Sequence, residues 1–218
     1  MEKYRRIVFC DFDGTITVEE TLVGMLKLFA RAHYQEIEDR IIARSLTIRE
    51  GLRRLVESIP SERYPEMLGY IRDKEMRPGF EALLDFLREE GVPFVVISGG
   101  LRGAVCCRLE CMAERIHAIY AADVNTEGKY LRVLSDFEGD TELVAKARIM
   151  VNYACDESVA IGDGISDMNM ALQSSLVFAR DSLCGHLEAR GKPYKPWNDF
   201  YDIRDCLALR WRSLDSAL

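Results

Sequence analysis

Acidic side chains stand at two points of the sequence where an apolar run ends. Asp11 and Asp13 follow the run IVFC, and Asp163 and Asp167 lie in GDGISD, just after VAI. Buried carboxylates lose hydration and repel one another, so a group of them needs a cation to compensate its charge. Carboxylate oxygens in this number suit a hard divalent ion such as Mg²⁺. The pattern predicts a magnesium site if the two segments meet in the fold.

The spacing of the first pair favours one shared site. Residues two apart in an extended chain point to the same side, so Asp11 and Asp13 can face the site while Phe12 turns into the core. Gly14 then gives the backbone the freedom to turn sharply.

A separate polar segment is suited to binding an anion. Ser98, Gly99 and Gly100 follow the apolar run FVVI, and a helix is expected to begin near Leu101. The serine hydroxyl, the backbone N–H groups of the turn and the positive end of that helix can together bind a phosphate. This segment is therefore a candidate phosphate site.

The spread charge of a phosphoryl group requires one more cation. Lys146, in the segment DTELVAKARIM, is the best candidate, and Lys129 and Arg148 are weaker ones. Residues 142–153 read as a helix, which places Lys146 about five residues inside it. The alternative is a solvated lysine on an exposed helix face.

Apolar periodicity predicts the elements that position these groups. Short, almost wholly apolar runs are typical of strands buried on both faces, and helical patterns separate several of them. This alternation predicts an α/β fold, a Rossmann-like doubly wound parallel sheet, in which ligands bind at the carboxyl ends of the strands. The predicted strands are 6–12, 92–97, 117–121, 158–162 and 175–179, and the predicted helices are 79–91, 102–115, 142–153 and 166–174.

Residues 18–76 break the alternation, because they contain helical patterns and no convincing strand. Thr47 ahead of Ile48-Arg49-Glu50 predicts a capping box at the start of one of about four helices. We therefore expect a core formed by residues 1–17 and 77–218, with residues 18–76 inserted as a helical lobe. A smaller excursion at 121–140, with Asn-Thr-Glu-Gly near its centre, predicts a β-hairpin.

Composition limits the classes of function. The 218 residues carry a net charge of −7 with a pI near 5.2, which argues against a nucleic-acid partner. The sequence has no long apolar run and no signal peptide, so we expect a cytoplasmic protein without a membrane partner. We expect it to act as a monomer or homodimer. Seven cysteines without a C-x-x-C pair are expected to be reduced thiols.

Four motifs in order, DFDGT, VISGG, a lysine near a helix start and GDGISD, resemble those of the haloacid dehalogenase superfamily. The resemblance covers essentially the whole chain. It implies that Asp11 is a nucleophile that forms an aspartyl-phosphate and that Asp13 is the general acid and base. It further implies that Ser98 and Lys146 hold the phosphate.

The same resemblance implies a ligand set for the metal. Mg²⁺ would be bound by Asp11, the Asp13 carbonyl and Asp163, with Asp167 as a further ligand or a support. Elementary chemistry agrees, because a carboxylate can attack phosphorus once the phosphate charge is neutralised. A second carboxyl can protonate the leaving oxygen and later activate water.

The insert at 18–76 resembles the C1 cap of the phosphoserine phosphatase-like branch, whose caps close over small phosphate monoesters. Glu20 lies where that branch places a glutamate that holds the substrate's amino group. The segments CDFDGTIT, LTIREGLRRL and PFVVISGG resemble more strongly a family of methionine-salvage phosphatases that act on 2-hydroxy-3-keto-5-methylthiopentenyl 1-phosphate. Phosphoserine is the alternative substrate, and a non-catalytic binding module is the alternative class.

Overall fold

The computed structural model describes residues 3–215, and a seven-stranded sheet lies at the centre of the fold. The spatial order of the strands is β4-β3-β2-β1-β5-β6-β7. All neighbouring strands are parallel except β3 and β4, which form the antiparallel hairpin that the sequence predicts. The strands are β1 (Lys3–Cys10), β2 (Phe94–Leu101), β3 (Ala118–Asn125), β4 (Arg132–Leu134), β5 (Ala154–Gly162), β6 (Leu176–Ala179) and β7 (Lys195–Pro196).

The sheet is doubly wound, as predicted, and β1 is the strand at which the winding reverses. The chain proceeds from β1 outward to β2, β3 and β4, then returns to place β5 on the other side of β1. Cys10 of β1 pairs with Ile161 of β5, so both strands end at the same level. A ligand crevice is expected at the carboxyl ends of two such strands.

Burial explains why these segments are strands. The half of β1 from Ile7 to Cys10 is no more than 1% exposed, and most of β2 and the second half of β5 are also buried. A strand covered on both faces has to be apolar at every position. Helices flank the sheet: α5 (Phe80–Glu89), α6 (Arg102–Leu109), α7 (Lys146–Met150), α8 (Met168–Gln173), α9 (Asp181–Glu188) and α10 (Phe200–Asp215).

Four further helices lie between β1 and α5: α1 (Thr21–Phe29), α2 (Arg31–Ile42), α3 (Ile48–Val56) and α4 (Tyr64–Arg72). The predicted capping box at Thr47 starts α3, with Thr47 and Glu50 bonding each other's backbone N–H groups. The chain leaves and re-enters the sheet region through two paired segments, because Thr17 and Met76 form an antiparallel bridge.

Several predicted boundaries are wrong. Strand β1 covers Lys3–Cys10 rather than 6–12, β3 covers Ala118–Asn125 rather than 117–121, and β5 begins at Ala154 rather than at residue 158.

Strand β2 continues through Ser98 to Leu101 instead of stopping at residue 97, with an irregularity in its pairing to β3. The predicted helix 102–115 becomes α6 followed by a 3₁₀ turn at Glu110–Arg115. The predicted helix 142–153 is reduced to α7, so Lys146 is its first residue rather than its fifth.

Tertiary hydrogen bonds explain the shortened α7. A helix over residues 142–145 would need the Thr141 carbonyl to accept from the Ala145 N–H. Instead, the Thr141 carbonyl accepts from the Arg49 N–H at 2.9 Å, and the Ala145 N–H donates to the Phe137 carbonyl at 2.7 Å. Leu143 and Val144, two of the apolar residues of this segment, are buried in an irregular loop.

The structure bears on two further expectations, those about membrane spans and about the cysteines. Within residues 3–215, no helix has the length and apolar character needed to cross a membrane. All seven cysteines are free thiols, and Cys106 and Cys111 are exposed.

Candidate active site

The carboxylates that the sequence singles out meet where β1 and β5 end. One carboxylate oxygen from each of Asp11, Asp163 and Asp167 lies within 4.8 Å of the other two. The Asp11 N–H donates to the Ile161 carbonyl at 3.0 Å, which ties the end of β1 to β5. Phe12 is 1% exposed, so alternate residues face the site and the core as expected.

Lys146 enters this cluster from the start of α7. Its ammonium group donates to Asp11 Oδ1 and, at 2.6 Å, to Asp167 Oδ1. The side chain is 1% exposed. Burial by itself lowers the pKa of Lys146, but the charges of Asp11 and Asp167 outweigh it and raise the pKa above its usual range. The lysine is therefore a permanent cation of the site.

Asp167 is held at both of its oxygens. Oδ1 accepts from Lys146, while Oδ2 accepts from the N–H groups of Asp163 and Gly164 at 3.0 and 3.1 Å. The carboxylate thus fixes both the lysine and the turn that carries Asp163.

Asp163 is oriented by the loop that follows β1. The Thr15 hydroxyl donates to Asp163 Oδ1 at 2.6 Å. Gly14 has φ +75°, and a Cβ there would lie 2.7 Å from Asp163 Oδ2, so glycine is required on two counts. Burial, followed by the charge of Asp167, raises the pKa of Asp163 to about 6.

Asp13 faces the start of α1. Its Oδ1 accepts from the Thr21 hydroxyl and, at 3.0 Å, from the Leu22 N–H. Ser98 Oγ lies 3.4 Å from Oδ2. Burial raises the pKa of Asp13, although these hydrogen bonds lower it. The protonated form, which can donate a proton, is favoured relative to an exposed aspartate.

The predicted anion segment lies beside Asp13. Ser98 is fully buried, and its hydroxyl accepts from the Gly100 N–H at 2.9 Å. Gly99 and Gly100 line the cavity in front of the carboxylates. The other two candidate cations lie elsewhere: Lys129 is exposed near β4, and Arg148 donates to the Glu138 carbonyl.

The donor chemistry of the cluster fits a hard divalent cation. Its three carboxylates are buried, and the ammonium group of Lys146 compensates only part of their charge. Mg²⁺ and similar ions prefer such oxygen donors and relieve this kind of repulsion.

A cavity of about 330 Å³ opens in front of Asp11 and Asp13. Much of its lining is apolar and comes from α1, α3, the loop before α7 and the turn after β5, through Leu22, Val23, Ile48, Leu52, Leu143, Val144 and Ile165. Glu20 and Glu142 also line it. Burial, followed by the charge of Asp163, raises the pKa of Glu20 to about 7.

Helix α3 is held over the cavity by the segment 133–141. The side chain of Arg49 donates to the Gly139 carbonyl at 2.8 Å, and Arg53 donates to the Val133 carbonyl at 2.7 Å and forms an ion pair with Glu138. Glu57 accepts from the Val133 N–H at 3.2 Å. These contacts fix the position of Ile48 and Leu52, the side chains that α3 contributes to the wall.

Sequence reasoning missed the residues that orient the acids. Thr15 and Thr21 donate to Asp163 and Asp13, and Arg49 and Arg53 hold α3 in place. A hydroxyl two residues after Asp13, in DFDGT, was the available signal for Thr15. No local pattern identifies the arginines, because their partners are backbone carbonyls about 80–90 residues away.

The fold and the buried acid cluster are what is expected of a hydrolase with its site at the ends of the strands, and sequence comparison agrees. The profile of the haloacid dehalogenase-like hydrolases matches residues 8–172. The chain therefore belongs to the haloacid dehalogenase-like hydrolase family and is an enzyme of that family.

Relatives within the family are phosphatases. A protein of Microcystis aeruginosa (strain NIES-843 / IAM M-2473) named 2-hydroxy-3-keto-5-methylthiopentenyl-1-phosphate phosphatase is 48% identical over 94% of this chain and 99% of its own length. A protein of the same name from Geobacillus kaustophilus (strain HTA426) is 30% identical over 92% of this chain and 94% of its own. A phosphoserine phosphatase structure with a phospho-aspartyl intermediate analogue has a TM-score of 0.69 and 21% identity, covering 93% and 98% of the two chains, which supports the fold.

Proposed function

We propose that this enzyme is a Mg²⁺-dependent phosphomonoesterase whose substrate is 2-hydroxy-3-keto-5-methylthiopentenyl 1-phosphate. The observation that carries the proposal is a cavity whose lining combines buried acids, which we call its acid end, with a set of apolar side chains, which we call its apolar end. Such a cavity suits a phosphate joined to a small, mostly uncharged leaving group. The names of the relatives at 48% and 30% identity support the same substrate.

The residues at the acid end are suited to two successive displacements. In the first, an Asp11 oxygen attacks phosphorus, the bond from phosphorus to the leaving oxygen breaks, and Asp13 gives that oxygen its proton. In the second, water attacks the aspartyl-phosphate, Asp13 takes the proton from the water, and Asp11 is released with free phosphate. Lys146 stabilises the charge on the phosphoryl oxygens, and the Ser98–Gly100 segment binds them.

Bound Mg²⁺ would neutralise the phosphate as a Lewis acid, which makes attack by a carboxylate feasible. Asp11, the Asp13 carbonyl and Asp163 are the residues that we expect to hold it. Both oxygens of Asp167 already accept hydrogen bonds, so we assign it to positioning Lys146 and the Asp163 turn.

The apolar wall favours this substrate over phosphoserine. Phosphoserine carries an ammonium and a carboxylate on its leaving group, and both would need charged partners. Among the described residues that line the cavity, Lys146 is the sole cation, and its partners are Asp11 and Asp167. Ile48 and Leu52 instead offer apolar contact that a methylthioethyl chain can use.

We further propose that residues 18–76 act as a cap that excludes water from the cavity. Helices α1 and α3 of this segment supply Leu22, Val23, Ile48 and Leu52 to the wall. Closing such a cavity protects the aspartyl-phosphate and strengthens the electrostatic interactions within it.

Phosphate release from a panel of phosphate monoesters, measured with and without Mg²⁺, tests the proposal. We expect Mg²⁺-dependent turnover, with kcat/KM for the methylthio enol phosphate at least tenfold above that for phosphoserine. A preference for phosphoserine would overturn the substrate assignment. Absence of metal-dependent turnover with every ester, including p-nitrophenyl phosphate, would instead favour a binding module.

A further inference from the structure

Arg77 is a buried cation at the point where the chain returns from α4 to the sheet region. Its backbone N–H donates to the Ile16 carbonyl at 2.8 Å, next to the bridge between Thr17 and Met76. The residue is 8% exposed. It lies outside the cavity, and the two-step hydrolysis described above does not use it.

The guanidinium of Arg77 binds two consecutive carbonyls of the loop that carries the catalytic acids. Nη2 donates to the Gly14 carbonyl at 2.7 Å, and Nε donates to the Thr15 carbonyl at 3.0 Å. Thr15 in turn donates its hydroxyl to Asp163. A continuous series of hydrogen bonds therefore runs from Arg77 to a carboxylate of the proposed metal site.

An aromatic ring fixes the guanidinium from another direction. The Arg77 Cζ lies 5.4 Å from the centre of the Trp197 ring, and the Arg180 Cζ lies 5.2 Å from the same ring. Trp197 is 4% exposed and packs on Phe200, whose N–H donates to the Pro78 carbonyl at 2.9 Å. The C-terminal part of the chain thereby immobilises Arg77.

We propose that Arg77 is a positioning residue for the metal site, which it orders by fixing the Gly14 and Thr15 peptide groups. These peptides directly follow the Asp13 carbonyl, so their orientation controls both that carbonyl and the Thr15 hydroxyl that orients Asp163. The inference depends on the proposed Mg²⁺ site and adds a residue that does not touch the ion or the substrate.

The two-carbonyl contact explains why an arginine is required. A guanidinium presents several N–H groups in one rigid plane, whereas an ammonium is a single point on a flexible stem. A lysine at residue 77 would be expected to bind one of the two carbonyls at a time. The neighbouring peptide would then lose its restraint.

Calorimetric titration of the full chain with Mg²⁺ alone tests the inference without substrate. We expect Arg77→Met to weaken Mg²⁺ binding by about tenfold or more, as removal of groups that orient metal ligands typically does. Arg77→Lys should weaken it less, by about threefold to tenfold. Circular dichroism and thermal melts establish that each variant is folded.

Arg108→Met is the matched control. Arg108 also donates from Nε to a backbone carbonyl, that of Lys74 at 2.6 Å, near the same return segment but away from the Gly14 loop. We expect this variant to lower the melting temperature and to bind Mg²⁺ as the wild type does.

The outcomes distinguish a failure of the inference about Arg77 from a failure of the proposed metal site. Wild-type affinity in both Arg77→Lys and Arg77→Met, with a lowered melting temperature, would show a purely structural role and overturn the inference alone. If Arg77→Met fails to fold, unchanged affinity in Arg77→Lys has the same meaning. A wild-type protein that binds no Mg²⁺ would overturn the proposed metal site and the inference with it.

Discussion

The two ends of the cavity are built in different ways. At the acid end, β1 and β5 place Asp11 and Asp163 side by side, and hydrogen bonds from Thr15 and Lys146 fix their orientation. The apolar end comes largely from α1 and α3, which lie in the inserted segment, and α3 is hydrogen-bonded to β4 at the edge of the sheet.

This difference predicts that one part of the cavity determines the reaction and the other determines the choice of substrate. Groups that carry charge in a reaction must be held rigidly, and the central strands of a parallel sheet provide that rigidity. Apolar contacts tolerate variation in shape, so they can lie on helices outside the central strands. Altering each end separately should therefore give different kinetic effects.

The largest effect is expected from removing the nucleophile. We expect Asp11→Asn to reduce kcat by about 10⁴-fold or more, because the amide cannot form the aspartyl-phosphate. Steady-state kinetics and trapping of the phosphoenzyme by mass spectrometry measure this.

Asp39→Asn is the control for Asp11→Asn, because Asp39 lies exposed on α2. We expect its kcat to stay within about twofold of the wild type. A phosphoenzyme formed by Asp11→Asn would mean that another residue is the nucleophile.

A smaller loss is expected when the cation of the acid end is removed. Lys146→Met should lower kcat by about 10²–10³-fold, because a preorganised charge that stabilises the phosphoryl oxygens is lost. The variant should also be less stable without Mg²⁺, since Asp11 and Asp167 lose their buried partner. Steady-state kinetics and thermal melts with and without Mg²⁺ measure both effects.

Lys129→Met is the matched control for this variant, because Lys129 is an exposed lysine outside the cavity. Its kcat should remain unchanged. If Lys129→Met instead shows the loss expected of Lys146→Met, the cation has been assigned to the wrong residue.

The acid end was largely predictable from the sequence because strict local rules govern it. Side-chain alternation placed Asp11 and Asp13 together, and the rule for parallel sheets placed Asp163 opposite them. The class of fold followed from the same pattern, and the family and the structure confirm it. The roles of the individual site residues and the boundary between core and cap stay predictions.

The apolar end was less predictable because long-range contacts decide it. Residues 142–145 have a helical pattern, yet the Thr141 carbonyl, which such a helix would need as an acceptor, accepts from the Arg49 N–H instead. Nothing in the local sequence distinguishes Arg53 from its neighbours, yet it holds α3 to residues 133 and 138. Periodicity along the chain carries no information on partners this distant.

Shortening one apolar side chain of the cavity lining is expected to affect one substrate more than another. Leu52→Ala should lower kcat/KM for the methylthio enol phosphate by about tenfold, the range for lost apolar contact in a specificity pocket. Turnover of an analogue in which hydrogen replaces the methylthio group should change by less than about threefold. Comparing both substrates in both enzymes isolates the contact with the thioether.

Leu28→Ala is the control for Leu52→Ala, because Leu28 lies exposed on α1 outside the cavity. In this variant, the ratio of kcat/KM for the two substrates should equal that of the wild type. Equal losses for both substrates in Leu52→Ala would assign Leu52 to general stability of the cap rather than to recognition of the thioether.

The smallest effect is expected where the two ends are joined. Arg53→Met removes the hydrogen bond to the Val133 carbonyl and the ion pair with Glu138, whose two side chains are 33% and 31% exposed, so each interaction is worth about 1 kcal/mol. Because these contacts hold α3 over the cavity, we expect KM to rise about threefold to tenfold while kcat changes less.

Arg63→Met is the matched control for Arg53→Met. Arg63 forms its ion pair with Glu66, three residues further along the chain, rather than with the segment 133–141. A fall in kcat with unchanged KM in Arg53→Met would show that α3 acts on the chemical step, and the division between the two ends would then be wrong.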